Sequence, residues 1–245
     1  MNKKRAIIMG ASSGIGFEVA RQLLDEGWVL GLAARRTEAI ERLSREHPGQ
    51  VFTAVIDVMS NDAPTRLLSL IKELGHIDLY FHISGVGKQN MQLEREIEEL
   101  TVKTNALGFT QLIDTAFNYF ADNGGGHIAA ISSIAGVKGL GAAPSYSATK
   151  AFQNIYLQAL EQQARMRRLN ISFTDIRPGF VATPLLGDGH KYPLLMQTKE
   201  VASDIVRSIH KKRRVRIIDW RYRIIVFFWK LLPNWLWPHL PIKNK

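Results

Sequence analysis

Tyr146 and Lys150 stand four residues apart in this chain, and Ser133 lies just beyond an apolar strand-like run upstream of them. Positions four apart on a helix share a face, so the phenol and the ammonium would meet. Carbonyl reduction needs a donor that protonates the developing alkoxide, a second hydrogen bond that holds that oxygen, and a positive charge that makes the donor more acidic. Tyrosine, serine and lysine supply those functions. A free phenol titrates near ~10, so a neighbouring positive charge implies a lowered pKa for Tyr146.

A second pattern stands near the start. Gly10-Ala11-Ser12-Ser13-Gly14-Ile15-Gly16 follows the apolar run Ala6–Met9 and opens a helix-length segment that continues to about Glu26. Glycine permits a tight turn, close approach of backbone to a diphosphate, and close packing of helix on strand, while the first helical N–H groups face the anion. Gly10, Ser12, Ser13, Gly14, Ile15 and Gly16 are therefore candidate cofactor contacts. A dinucleotide-binding fold would place an acid on the ribose 2′-hydroxyl at the end of the next strand, but here Ala34 is followed by Arg35 and Arg36. A carboxylate would repel a 2′-phosphate, whereas a guanidinium donates two hydrogen bonds to it, so the site favours NADP(H) over NAD. Arg35 is the first candidate, with Arg36 beside it.

The elements that must position these groups follow from periodicity. Ala6–Met9, Trp28–Ala34, Val51–Ile56, Leu79–Ile83, His127–Ser132, Ile171–Ile176 and Val215–Ile218 read as strands, with helix-length amphipathic stretches between them. This alternation implies an α/β domain: a doubly wound parallel sheet with helices on both faces and ligands at the carboxyl ends of the strands. No internal repeat or interdomain linker interrupts it, and Gly124 to Gly126 read as a helix stop before a strand.

Composition narrows the classes. With 46% hydrophobic and 22% charged residues, a packed globular fold is expected. The absence of cysteine removes disulfides, cysteine nucleophiles and cysteine-rich zinc sites, and no metal is expected. Met1 to Arg5 is basic but runs straight into a short apolar segment and the glycine turn, so no export signal is expected. The net charge of +10 suggests nucleic acid until it is located: residues 211–245 hold ten Lys/Arg and one acid, leaving 22 basic and 21 acidic residues elsewhere. With no reading motif in that tail, nucleic acid is not an expected partner.

Taken together, Gly10-x-x-x-Gly14-x-Gly16, Asn105, Ser133, Tyr146-x-x-x-Lys150 and Pro178-Gly179-x-Val181-x-Thr183 resemble the short-chain dehydrogenase/reductase family, over residues 5 to about 218. The resemblance implies a Rossmann-type catalytic domain over residues 1–218 that interconverts a carbonyl and an alcohol with NADP(H). It implies that Tyr146 is the acid/base, that Ser133 orients the substrate oxygen, that Lys150 also binds the nicotinamide ribose, and that Asn105 holds a water in the proton relay. It further implies that Asp57, with Val58, contacts the adenine edge, that Pro178, Gly179, Val181 and Thr183 support the carboxamide, and that the chain is a homodimer or homotetramer. One departure stands out: the family's usual Asn-Asn-Ala-Gly is here His82-Ile83-Ser84-Gly85. Gly85 keeps its cofactor-side place, and His82, at a strand end, reads as structural.

After Thr183, Pro184 to Met196 is apolar, broken by glycines and a polar patch, and resembles the family's substrate lid; its leucines and Met196 would cover a small apolar carbonyl or alcohol substrate. Residues 219–245 form an extension holding four of the five tryptophans. The apolar run Ile224 to Leu232, interrupted by Lys230 and stopped by Pro233, is too short to span a ~30 Å bilayer. Three uses stay open for it: lying on an anionic membrane surface, packing over the substrate pocket, or forming a subunit interface. The expected location is the cytoplasm, with peripheral attachment to the inner face of a membrane in the first case. The competing class is a dinucleotide-sensing or scaffold protein that keeps the fold without turnover.

Overall fold

The computed structural model describes residues 3–186, 192–240 and 242. Seven strands, β1 (Arg5–Met9), β2 (Val29–Ala34), β3 (Val51–Val55), β4 (Leu79–His82), β5 (Gly126–Ile131), β6 (Ile171–Arg177) and β7 (Val215–Ile217), form one sheet in the order β3-β2-β1-β4-β5-β6-β7. Every neighbouring pair is parallel. Strands in such a sheet are covered on both faces, which is why β1, β2 and β4 read as nearly unbroken apolar runs.

Successive side chains of a strand point to opposite faces. Ile8, Leu30, Leu32 and Phe81 accordingly enter one core with α1 (Gly14–Asp25), α2 (Glu38–Glu46) and α7 (Thr198–His210). Ile7, Met9, Tyr80 and Ile128 enter the other with α3 (Ala63–Leu74), α5 (Phe109–Asp122) and α6 (Pro144–Met166). Helix α4 (Arg95–Val102) leads into α5 through one wide π-helical turn, Lys103–Gly108. The glycine stop is as read: Gly124 and Gly125 take left-handed backbone angles, at φ 82° and 108°, before β5 begins.

Strand order reverses between β1 and β4, and a crevice opens there at the carboxyl ends. The turn after β1 needs its glycines for two separate reasons. Gly10 has φ 98°, and a Cβ there would stand 2.7 Å from the backbone nitrogen of Ser84; a Cβ on Gly16 would stand 2.2 Å from the carbonyl oxygen of Gly10. The first glycine makes the turn, and the third lets α1 sit on it.

Residues after β7 fold back onto this body. Helix α8 (Trp220–Leu231) starts at Asp219, whose carboxylate accepts from the Arg221 N–H at 2.8 Å. Its Tyr222 and Val226 join the same core as Val201 and Ile205 of α7. No helix among the described residues is long and apolar enough to cross a membrane.

Candidate active site

Helix α6 brings the reacting groups together. Pro144 starts it, where a missing N–H costs nothing, and the Ser145 N–H donates to the Glu98 carboxylate at 3.1 Å, tying that start to α4. Within the first turn, Tyr146 faces the crevice, and Lys150, one turn on, lies beneath it, almost wholly buried, with Nζ 5.8 Å from the phenol ring centre. Ser133, two residues beyond β5, is hydrogen-bonded to Tyr146 and accepts from the Ala135 N–H at 3.1 Å, so its rotamer is held from the far side. Ser133, Tyr146 and Lys150 all line one cavity.

The lowered Tyr146 pKa expected from sequence is not what the structure shows. Burial pushes the phenol above its ordinary value, opposed by the hydrogen bond with Ser133. The reason lies in where the lysine points. Lys150 Nζ donates to the Ile131 carbonyl at 3.0 Å and to Gln153 Oε1 at 2.9 Å, not to the phenol. Its own pKa falls to about 8 through burial, opposed by the Asp175 carboxylate.

Asn105 occupies the π-helical turn and is fully buried. It lies behind the cavity wall and not on it; its neighbour Thr104 reaches the wall. The Asn105 carboxamide grips one backbone unit from both sides, donating to the Val86 carbonyl at 2.7 Å and accepting from the Val86 N–H at 2.9 Å. Its main-chain oxygen accepts from Gln153 Nε2 at 2.9 Å. Gln153 thus bridges Asn105 and Lys150 directly. Gln153 escaped the sequence reading, although it stands three residues after Lys150, on the same helical face. Gly87 escaped too: a Cβ there would be 2.6 Å from the Tyr146 ring.

His82 is buried and neutral. Its Nδ1 lies 3.0 Å from the Tyr80 hydroxyl, its ring meets Phe109 edge-on at 5.1 Å, and among the described residues Nε2 has no side-chain or backbone partner within hydrogen-bonding geometry. Burial, with the nearby Lys150 charge, lowers its pKa to about 3, opposed by the Ser84 backbone. His82 and Tyr80 are both buried, and His82 is near enough to Lys150 to feel its charge.

The same cavity runs on past the glycine turn. Gly10, Ser12, Ser13, Gly14 and Ile15 line it, as do Arg35, Arg36, Asp57, Val58, Gly85, Pro178, Gly179, Val181 and Thr183. Gly16 does not; it is packed under the turn against Gly10. Arg35 and Arg36 are exposed, and among the described residues neither is engaged in an ion pair. One Asp57 oxygen accepts from the Met59 N–H at 3.0 Å.

The other end of the cavity, about 570 Å³ in all, is apolar and roofed by the C-terminal segment. Leu185, Leu186 and Leu194 line it together with Phe180, Tyr192 and, from α8, Tyr222, Ile225 and Trp229. Met196 does not: it is buried and bridged to Val181, so it anchors the lid instead of covering the cavity. The lid glycines Gly187 and Gly189 lie outside the described residues. Tyr222 is the latch. Its ring lies where any Cβ on Gly179 would stand, at 2.2 Å, and its hydroxyl donates to the Pro193 and Leu194 carbonyls at 3.0 and 3.2 Å and accepts from the Phe180 N–H at 3.2 Å. Beyond α8, Trp237 is buried and donates to the Gly139 carbonyl at 2.6 Å, while Lys138 reaches Asn234 at 2.6 Å.

A model of the short chain dehydrogenase family matches residues 4–191. This chain belongs to that family. Similarity to individual members extends further along it: an uncharacterized oxidoreductase of Staphylococcus saprophyticus is 30% identical over 227 residues, covering 89% of this chain and 95% of the relative. Among solved structures, an actinorhodin polyketide ketoreductase with NADPH superposes with a TM-score of 0.76 at 23% identity, covering 88% of this chain and 95% of that one. An alcohol dehydrogenase of the archaeon Thermococcus sibiricus, complexed with 5-hydroxy-NADP, gives 0.76 at 24% identity, covering 89% and 95%. The chain is therefore an oxidoreductase of the short-chain dehydrogenase family with its Rossmann-type sheet.

Proposed function

We propose that this short-chain dehydrogenase interconverts a carbonyl and an alcohol on a small apolar molecule with NADP(H), Tyr146 being the acid/base. One observation carries the reading: the Tyr146–Ser133 pair, with Lys150 beneath, opens onto the same continuous cavity as the glycine turn and Arg35. That cavity fits a dinucleotide phosphate. The start of α1 carries no acid and no side-chain cap, so its free N–H groups are available to a diphosphate. Arg35 and Arg36, which line the cavity and form no ion pair among the described residues, would supply cations to a 2′-phosphate. The solved neighbours with NADPH and 5-hydroxy-NADP support the same choice.

When bound, NADPH supplies a hydride to the carbonyl carbon. Ser133 and Tyr146 hold the carbonyl oxygen, and Tyr146 gives it a proton as negative charge develops there, so hydride and proton together yield the alcohol. Burial keeps the phenol neutral, which suits it to donate. The Lys150 ammonium then stabilises the phenolate, and with a pKa of about 8 it exchanges protons readily near neutral pH. The leucines, Phe180 and Trp229 exclude water and accept an apolar substrate body. The homodimer or homotetramer implied by the family would use the long helices, where Phe152 and Ile155 of α6 are exposed.

The test follows NADPH and NADH absorbance with a panel of apolar ketones and aldehydes. Tyr146→Phe should lose turnover while still binding NADPH, and Arg35→Ala should weaken NADPH far more than NADH. Tight NADPH binding with no turnover on any carbonyl would instead favour the sensing class.

A further inference from the structure

Helix α8 has two apolar faces, and among the described residues one is packed and the other is exposed. At about 100° per residue, Tyr222, Ile225, Val226 and Trp229 fall on one side and meet the cavity and core. Trp220, Ile224, Phe227, Phe228 and Leu231 fall on the opposite side, and with Trp235 beyond the helix they are 47–72% exposed. Cations occupy both borders between the faces. Arg221 lies on one and is ion-paired with Asp219; Arg223 and Lys230 lie on the other, exposed and engaged in no ion pair among the described residues. An apolar stripe with tryptophans at both ends and basic residues along its edges has the chemistry of a lipid–water boundary, where aromatic rings sit at headgroup level and long cations reach phosphates. A second copy of the chain is the weaker occupant. It would bring two segments, each with ten Lys/Arg and one acid over residues 211–245, against one another.

We propose that α8 is an interfacial helix that seats the enzyme on an anionic lipid surface and that the substrate enters from that surface past Ile225 and Trp229. The second part rests on the carbonyl-reduction reading; the docking does not. The same helix turns one face to the bilayer and the other to the cavity, so docking places the cavity roof within one helix diameter, ~10 Å, of the lipid. An apolar ketone dissolved in the membrane would then reach Tyr146 without crossing water.

The experiment uses the full chain with phosphatidylcholine vesicles, with and without phosphatidylglycerol, in a co-sedimentation assay. The native protein should sediment with the anionic vesicles and leave the neutral ones. Phe227→Glu/Phe228→Glu should abolish sedimentation. Arg223→Gln/Lys230→Gln should weaken it roughly 25-fold, at about five-fold per charge removed. Neither pair lines the cavity, so NADPH binding and turnover of a water-soluble ketone should be unchanged, while turnover of a vesicle-dissolved ketone falls. Native protein that ignores anionic vesicles, or glutamate variants that still sediment, overturns the docking. So does a native dimer that the glutamate variants split into monomers with sedimentation unaffected, since a second copy then covers the face. Sedimentation as expected with no turnover of any ketone upholds the docking and overturns only the chemical reading.

Discussion

The floor and the roof of the cavity are built on different principles. The floor is rigid backbone and buried polar side chains: Gly16 packed against Gly10, Asn105 clamping Val86, and Gln153 tying Lys150 to the π-helical turn. The roof is a helix that leans on the lid mainly through one tyrosine. Groups that must meet reacting atoms are held where nothing can shift, whereas groups that must admit a substrate are held where a few contacts decide position. Changes to the floor should therefore remove chemistry or stability, and changes to the roof should retune which molecules enter.

The largest expected effect is on the floor. Tyr146→Phe should cut turnover by about 10²–10⁴-fold with NADPH affinity kept; stopped-flow turnover beside a binding titration checks it, and an active variant would break the comparison. Acid sensitivity comes next and also belongs to the floor and sheet. His82 and His127 are held neutral by burial, at about 3 and about 4, against an ordinary value of 6.5. The unfolded chain binds protons there that the folded one refuses, so stability should be full above about pH 6.5 and fall as pH drops toward 4. His127 alone is worth on the order of 3 kcal/mol across that window. Urea unfolding as a function of pH measures the slope, and His127→Gln should flatten it.

Part of the floor was also the most legible. The glycine turn, Tyr146 with Lys150, and the strands are written in short stretches where spacing alone fixes geometry. Gln153 was hidden because its meaning comes from Asn105, forty-eight positions away, and a lone buried glutamine has no motif. The roof was hidden for the same reason on a larger scale: Trp237 meets Gly139 and Tyr222 meets Gly179 across long separations, while the composition of the tail alone fitted three uses. Two of these are now distinguishable by face, since one side of α8 covers the pocket and the other is exposed. Met196 was misread because an apolar residue in a lid looks the same whether it faces the cavity or anchors the backbone.

Roof substitutions should be gentler and selective. Trp229→Ala should raise KM for bulky apolar ketones by about 1–3 kcal/mol in binding, with kcat on a small ketone little changed; a comparable loss on both substrates would erase the distinction drawn here. Tyr222→Phe, which keeps the ring on Gly179 and removes only its hydrogen bonds, should lower stability by about 1 kcal/mol, read as a small drop in thermal midpoint.

The latch has a consequence for how such a tail can vary. Only Ile218 and Asp219 separate β7 from α8, and Asp219 sits at φ 70°. Inserting one residue at that joint would advance the helix by about 100° and 1.5 Å and bring Arg221 to the position of the phenol; deleting one would bring Arg223 there. A guanidinium has no acceptor for the Phe180 N–H, so the tail would lose its seat even with every other letter intact. Spelling can drift along this segment, but its length is locked to the turn that begins it.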